Sequence, residues 1–169
     1  MIKTHTTLNH SIFLKGISLE NVSDQYLNWL NDPIINVFTE FKKTTWTKSL
    51  LKEYVANSIK NSSEYMFCVF DKSDNTHVGN VRLHSIDIDR ESGHIGILIG
   101  NTKKTGKGIG TQAISLISRF AFDELNLKEV YAGVLVDNIA SIKVFRKNEF
   151  IQMKNNSKKS YSFILKNNS

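Results

Sequence analysis

The sequence predicts a mixed α/β fold of the α+β kind. It has a central, mostly antiparallel sheet of about seven strands and four helices, in the order β-α-α-β-β-β-α-β-α-β-β. Three observations lead there. Residues 64–71, 77–88 and 93–100 form three strand-like runs joined by connections too short for a crossover, so they pair antiparallel. Next, Gly106-Lys107-Gly108-Ile109-Gly110 separates a segment of period two, in which Ile95, Ile97 and Ile99 alternate with Gly96, Leu98 and Gly100, from one stepping by three and four through Ala113, Ile117, Phe120, Ala121 and Leu125. Last, a strand, a capped helix and two further strands close the chain.

Taken in order, Ser11–Lys15 is a first strand and Leu19–Asn31 a first helix, which Pro33 stops at Asp32 because the residue before a proline is pushed out of helical geometry. A second helix is expected from about Thr45 to Lys60, with Trp46, Leu50, Tyr54 and Ser58 on one face. The turn Asp71-Lys72-Ser73-Asp74-Asn75 joins the first two strands of the meander. After the helix opened by the glycines, Glu129–Val136 reads as a strand from its β-branched and aromatic residues. Asn138 caps a helix running to about Asn148, and the final strands lie near 150–153 and 160–166.

Composition narrows the class. With 169 residues, 40% of them hydrophobic, and one proline, the chain is long enough for one substantial core and is expected to form a single domain over 1–169. It contains no apolar run of membrane-spanning length and no apolar block near its start, so a cytoplasmic location without membrane insertion is expected. The lone Cys68 sits in the apolar run Tyr65–Phe70 and reads as a buried thiol rather than a nucleophile. Charge is uneven: residues 1–100 carry a net −1 and residues 101–169 a net +7. The basic half suits phosphate groups. Zinc, helix-turn-helix and RNA-binding signatures are missing, so no nucleic-acid partner is expected. The five histidines (His5, His10, His77, His84 and His94) show no metal-ligand spacing, and no metal is expected.

Strand, glycine turn and helix N-terminus together make an anion site, where backbone N–H groups and the helix dipole face the ligand. Lys103, Lys104 and Lys107 add charge beside it. A Walker loop does not fit, since five residues follow Gly100 and Gly108 replaces the metal-binding hydroxyl. A dinucleotide fingerprint does not fit either: the third glycine comes one residue early and Asp137 lies too far along for the ribose acid.

Thr105-Gly106-Lys107-Gly108-Ile109-Gly110 resembles motif A of the GNAT superfamily of acyl-CoA-dependent N-acetyltransferases, with Thr105 where Arg or Gln is usual. The segment Asn138–Phe150 resembles the family's motif B, with Phe145 where many members carry a proton-donating tyrosine and Glu149 in place of a glycine. The element order matches the family along nearly the whole chain. The resemblance implies acetyl-CoA as co-substrate, held by Ile97, Leu98 and Ile99 of the strand and by Lys103, Lys104, Thr105, Gly106, Lys107, Gly108, Ile109, Gly110 and Thr111 around the loop. Asn138, Ser141, Phe145 and Lys147 of the following helix complete that set. It implies direct transfer of the acetyl group to an amine, with neither a covalent enzyme intermediate nor a metal.

In the resembling enzymes a glutamate often serves as base at the position His94 occupies here. An imidazole changes charge near neutral pH and suits that task, with His84 and Glu91 in reserve. For the acid, Tyr131 or a water held by Ser141 can replace the tyrosine that Phe145 lacks, or the thiolate leaves unaided. A structural role for His94 stays open at this point.

The phrase Tyr26-Leu27-Asn28-Trp29-Leu30-Asn31-Asp32-Pro33 is similar to the opening of the branch containing ribosomal-protein alanine acetyltransferases and amino-sugar acetyltransferases. A nucleotide-linked amino sugar would call on Trp29, Trp46, Phe38, Arg82 and His84; a protein N-terminus would call on Asp32 or Glu40. Asn80, Arg82 and His84 alternate onto one strand face, which marks a wet cleft. A small amine-bearing acceptor such as an amino sugar is the favoured expectation, with protein N-termini, polyamines or a non-catalytic CoA-binding role as alternatives. A homodimer is allowed but not required.

Overall fold

The computed structural model describes residue 5 and residues 10–104, 106–154 and 157–167. Its seven-stranded sheet has the order β1-β2-β3-β4-β5-β7-β6, with β1 Ile12–Gly16, β2 Tyr65–Asp71, β3 Thr76–Asp87, β4 Ser92–Ile99, β5 Glu129–Leu135, β6 Ile151–Met153 and β7 Ser160–Lys166. Every neighbouring pair is antiparallel except β4 and β5. Among the described residues the α-helices are α1 Asp24–Asn31, α2 Lys48–Lys60, α3 Ile109–Arg119 and α4 Ile139–Lys147.

Alternation along β2 explains the three layers. Tyr65, Phe67 and Val69 pack into a cluster with α3 and α4, while Met66, Cys68 and Phe70 pack into a second cluster with α1 and α2. Both faces of β2 are therefore covered, which is why it reads as an unbroken apolar run. Cys68 is fully buried, and burial pushes its thiol up to about 12, as suits a packing residue. On β3, Val81 and Leu83 join the α3 cluster, so Asn80, Arg82 and His84 face the α1/α2 side.

Two helix starts differ from expectation, each because a hydroxyl caps later than periodicity alone indicates. The chain makes a 3-10 turn at Leu19–Asn21, and α1 then starts where Ser23 accepts the Tyr26 N–H at 3.1 Å. Thr47 accepts the Leu50 N–H at 3.2 Å and starts α2, leaving Trp46 outside the helix. The buried face of α2 is Leu51, Val55 and Ser58; Leu50 is exposed and Tyr54 stands at the edge of that face. Asp32 has extended geometry before Pro33, and α1 ends there as expected.

Candidate active site

The glycine loop adopts a conformation that other residues resist. Gly106 and Gly108 have φ of 79° and 75°, in the left-handed region that costs an L-residue about 1–2 kcal/mol. Gly108 is the N-cap of α3, and the Gln112 N–H closes the first turn on its carbonyl at 3.0 Å. The N–H groups of Ile109, Gly110 and Thr111 thus face out of the helix end. A side chain on Gly106 would meet nothing within 4 Å, so the turn is open to a ligand. Thr105 lies outside the described residues.

Beside the loop, β4 parts from β5. The two pair only at Ser92 with Glu129, Gly93 with Val130 and His94 with Tyr131, and beyond His94 the ladder ends. The backbone of Ile97, Leu98 and Ile99 is consequently left with an edge facing the split. Across it stands α4, where Asn138 Oδ1 accepts the Ser141 N–H at 3.1 Å. Asn148 Nδ2 donates to Thr111 O at 3.2 Å, tying the end of α4 to the first turn of α3. Phe145 is buried 5.0 Å from Phe150 and 6.0 Å from Phe163 between ring centroids, and Lys147 is exposed in the last turn of α4.

A cavity of about 370 Å³ runs from this split to the polar face of β3. Gly96, Ile97, Leu98, Asn138, Ser141 and Phe145 line its inner end, and Phe38, Glu40, Phe41, Tyr54, Asn80, Arg82, His84 and His94 its outer end. Arg82 organises the outer wall. Its Nη2 donates to Glu40 Oε1, its Nη1 to Tyr54 Oη at 3.2 Å, and its guanidinium carbon lies 5.9 Å from the centre of the Phe41 ring. Burial works against the Arg82 charge, but Tyr54 and the carboxylates of Glu40 and Glu64 outweigh it and raise its pKa. Burial raises the Tyr54 phenol against the opposing pull of Arg82. His84 is pushed down to about 4, by burial first and then by Arg82 and His94, so it is neutral near pH 7. It lies directly across the strand pair from His94, ring centroids 5.8 Å apart, and His94 stacks on Tyr131 at 5.4 Å.

Phe38, Arg82, His84, His94, Leu98, Asn138, Ser141 and Phe145 are brought together as the sequence indicated, but several candidates are not. Trp29 is buried against Gly100 and the His77 ring, 5.0 Å away, and is a packing residue outside the cavity lining. Trp46 is likewise buried, against Phe41 and Tyr54, and does not line the cavity. Asp32 Oδ1 accepts the N–H groups of Ile34 and Ile35, so it shapes the turn rather than the site. Tyr131 donates its hydroxyl to Glu129, a hydrogen bond that heads the causes raising its pKa, and it is not in the cavity lining. It is not placed to be the acid. Glu91 pairs with Lys128, away from the cavity. Lys104 spends its charge on Asp71 at 2.7 Å and Asp74 at 2.8 Å, leaving Lys103 and Lys107 as the exposed lysines of the loop.

Sequence reasoning missed Tyr54 and Phe41 as wall residues. The available signal was that Tyr54 and Arg82 are both long polar-tipped side chains flanking the same predicted cleft, but pairing them needs the tertiary fold.

The chain matches the family model described as an acetyltransferase (GNAT) domain over residues 12–151, and it belongs to that family. It is 34% identical over 93 residues to a Bacillus subtilis protein named Probable N-acetyltransferase YjcK, covering 54% of this chain and 51% of that one. It is 23% identical over 133 residues to an N-acetyltransferase 9-like protein of Caenorhabditis briggsae, covering 73% and 66%. The chain thus spans about half to two thirds of the length of these relatives. Among solved structures, the fold is shared with the spermidine N-acetyltransferase of Vibrio cholerae in complex with CoA and spermine, at a TM-score of 0.81 and 20% identity over 94% of this chain and 96% of that one. It is shared equally with a GNAT-family acetyltransferase of Bacillus anthracis, at 0.81 and 15% identity over 97% and 98%. Among the described residues, no helix is long and apolar enough to cross a membrane, and no three His, Cys, Asp or Glu side chains are grouped to hold a metal.

Proposed function

We propose that the protein transfers an acetyl group from acetyl-CoA directly to the primary amine of a small acceptor. The observation that carries this reading is the single cavity joining the β4/β5 split, beside the glycine-capped start of α3, to a polar wall on β3. The residues fit the co-substrate. Gly106 and Gly108 leave room and bend the chain, the outward N–H groups of Ile109, Gly110 and Thr111 can donate to an anion, and Lys103 and Lys107 lie exposed nearby. The free edge at Ile97–Ile99 and the side chains of Asn138 and Ser141 would hold the arm that leads to the acetyl group. When bound, acetyl-CoA supplies an acetyl group activated as a thioester.

The chain's own residues do the rest. An ammonium cannot attack, so a base must first remove its proton. His94, exposed in the cavity wall and held face-on by Tyr131, is in position to take it at a ring nitrogen. His84 is the poorer base, since burial and Arg82 hold its pKa near 4. Backbone N–H groups beside Leu98 are the donors available to developing negative charge. Phe145 has no proton to give, and Ser141, which lines the cavity beside Asn138, is the hydroxyl to which we assign the return of the proton, directly or through water.

The acceptor we favour is a small amine such as an amino sugar. Asn80, Arg82 and His84 all line the cavity, and a volume of about 370 Å³ is near the small end for ligand sites, so the cavity takes the amine-bearing portion and any attached nucleotide lies outside it. Assay of acetyl-CoA turnover against amino sugars, their nucleotide-linked forms, alanine-terminal peptides and polyamines tests this. Turnover of peptides with no response to any amino sugar overturns the choice of acceptor. We place the protein in the cytoplasm, where acetyl-CoA is available.

A further inference from the structure

One wall residue has a hydrogen-bonding group with nothing to bond. Asn80 is 3% exposed, lines the cavity, and among the described residues its amide nitrogen Nδ2 has no partner. The orientation of that amide is fixed by its neighbour. His77 Nε2 lies 2.9 Å from Gly79 O and 3.1 Å from Asn80 Oδ1. A backbone carbonyl only accepts, so Nε2 carries the hydrogen, and the Asn80 atom facing it must be the oxygen. Two amide N–H donors are then left over on a residue that lines the cavity. A buried donor without a partner is unfavourable, so such a group calls for an explanation, and a ligand in the adjoining cavity supplies one.

The charge of the same wall points the same way. Glu40 is the one carboxylate among the lining residues, and Arg82 already holds it. A polycation would find no free carboxylate there. Arg82 lies two residues along the same strand face from Asn80, about 7 Å away by strand geometry, so two donor-bearing side chains stand next to each other in the lining.

We propose that Asn80 selects the acceptor: the amine must carry an oxygen, a hydroxyl or a carboxylate, within a few bonds of its nitrogen, and amines without one are poor acceptors. This rests on the acetyltransferase reading above and deepens it. The likeness to a spermidine N-acetyltransferase, at 20% identity, shows the fold alone. A site built to bond an oxygen discriminates against an analogue lacking it, because its own polar group stays unpaired.

The test is steady-state kinetics with acetyl-CoA and two matched pairs, glucosamine against cyclohexylamine and alanine against isopropylamine, with spermidine beside them. An oxygen-bearing member should be favoured by about 10- to 100-fold in kcat/KM, the range an unpaired buried donor gives. Whichever of glucosamine and alanine leads identifies hydroxyl or carboxylate as the source. Asn80→Leu should erase the preference through KM. Asn80→Asp, which keeps the shape and the oxygen facing His77 but removes the donors, should erase it and shift the order towards spermidine. Calorimetric binding of the leading amine to the protein without acetyl-CoA should weaken by the same factor in both variants. Spermidine or the plain amines leading in the parent, or a preference that survives both substitutions, overturns the proposal. No turnover of any amine, with or without oxygen, counts against the acetyltransferase reading itself and removes the inference with it.

Discussion

Gly100→Ala is expected to destabilise the protein through Trp29, although neither residue touches the cavity. A Cβ at position 100 would lie 2.0 Å from Trp29 Cδ2, 2.3 Å from Cγ and 2.5 Å from Cε2, all rigid ring atoms. The indole has little room to yield: it is 5% exposed, with the His77 ring 5.0 Å away and the Tyr26 ring 6.1 Å away. Overpacking of this kind costs about 1–3 kcal/mol, which for a domain of this size lowers the melting temperature by about 2–12 °C. Trp29→Ala, which empties the site, should cost about 3–5 kcal/mol. The double variant relieves the clash, so it should be more stable than the sum of the two single effects by at least about 1 kcal/mol. Thermal and urea unfolding of the four proteins measure this. Melting of Gly100→Ala with the parent would refute the packing role, and so would a Trp29→Ala protein of parental stability whose KM for the acceptor alone rises.

Three further outcomes follow from the site. Gly108→Val places a β-branched residue at φ 75° and a side chain at the start of α3, so the rise in melting temperature on adding CoA should be lost while the fold survives at a cost of about 1–2 kcal/mol. Hydrogen bonds from Lys104 and Ser73 hold the Asp71 carboxyl down to about 2. That stabilisation is present above about pH 4 and is lost as pH falls towards 2, so Lys104→Ala should begin acid unfolding at a higher pH, with CoA binding within about twofold of the parent. His94→Ala should lower kcat, and full activity of that variant at pH 6–9 would take His94 out of the mechanism.

Much of this architecture was legible because local signals agreed with the tertiary result. Alternation gave each strand of the meander to within a residue or two, Pro33 ended α1, and Asn138 marked the start of α4. The glycine turn was readable because only glycine takes left-handed geometry at 106 and 108 without strain. Where periodicity failed, a hydroxyl cap decided instead: Ser23 and Thr47 start α1 and α2 later than the apolar pattern shows, and the buried face of α2 turns from Leu50 to Leu51 as a result. The site was harder. Residue type made Trp29, Asp32, Tyr131 and Lys104 look functional, but each satisfies a partner that lies elsewhere in the fold, a glycine backbone, a turn, Glu129 and an aspartate pair. Asn80 showed the reverse. Its face was predictable from alternation, but its unpaired amide depends on how His77 reaches Gly79 and is invisible without coordinates.

The most direct test of the central claim follows both products of the reaction: free thiol released from acetyl-CoA, and the mass of the amine recovered afterwards, with the parent and Gly108→Val compared over a panel of amino sugars, amino acids, peptides and polyamines. The account predicts that the parent releases thiol only when an amine is present, and that the amine gains one acetyl group for each thiol released. It predicts that Gly108→Val does neither at acetyl-CoA concentrations that saturate the parent. Binding of CoA by the parent with no acetylated amine from any member of the panel would contradict it, and would leave the chain as a CoA-binding protein without transferase activity.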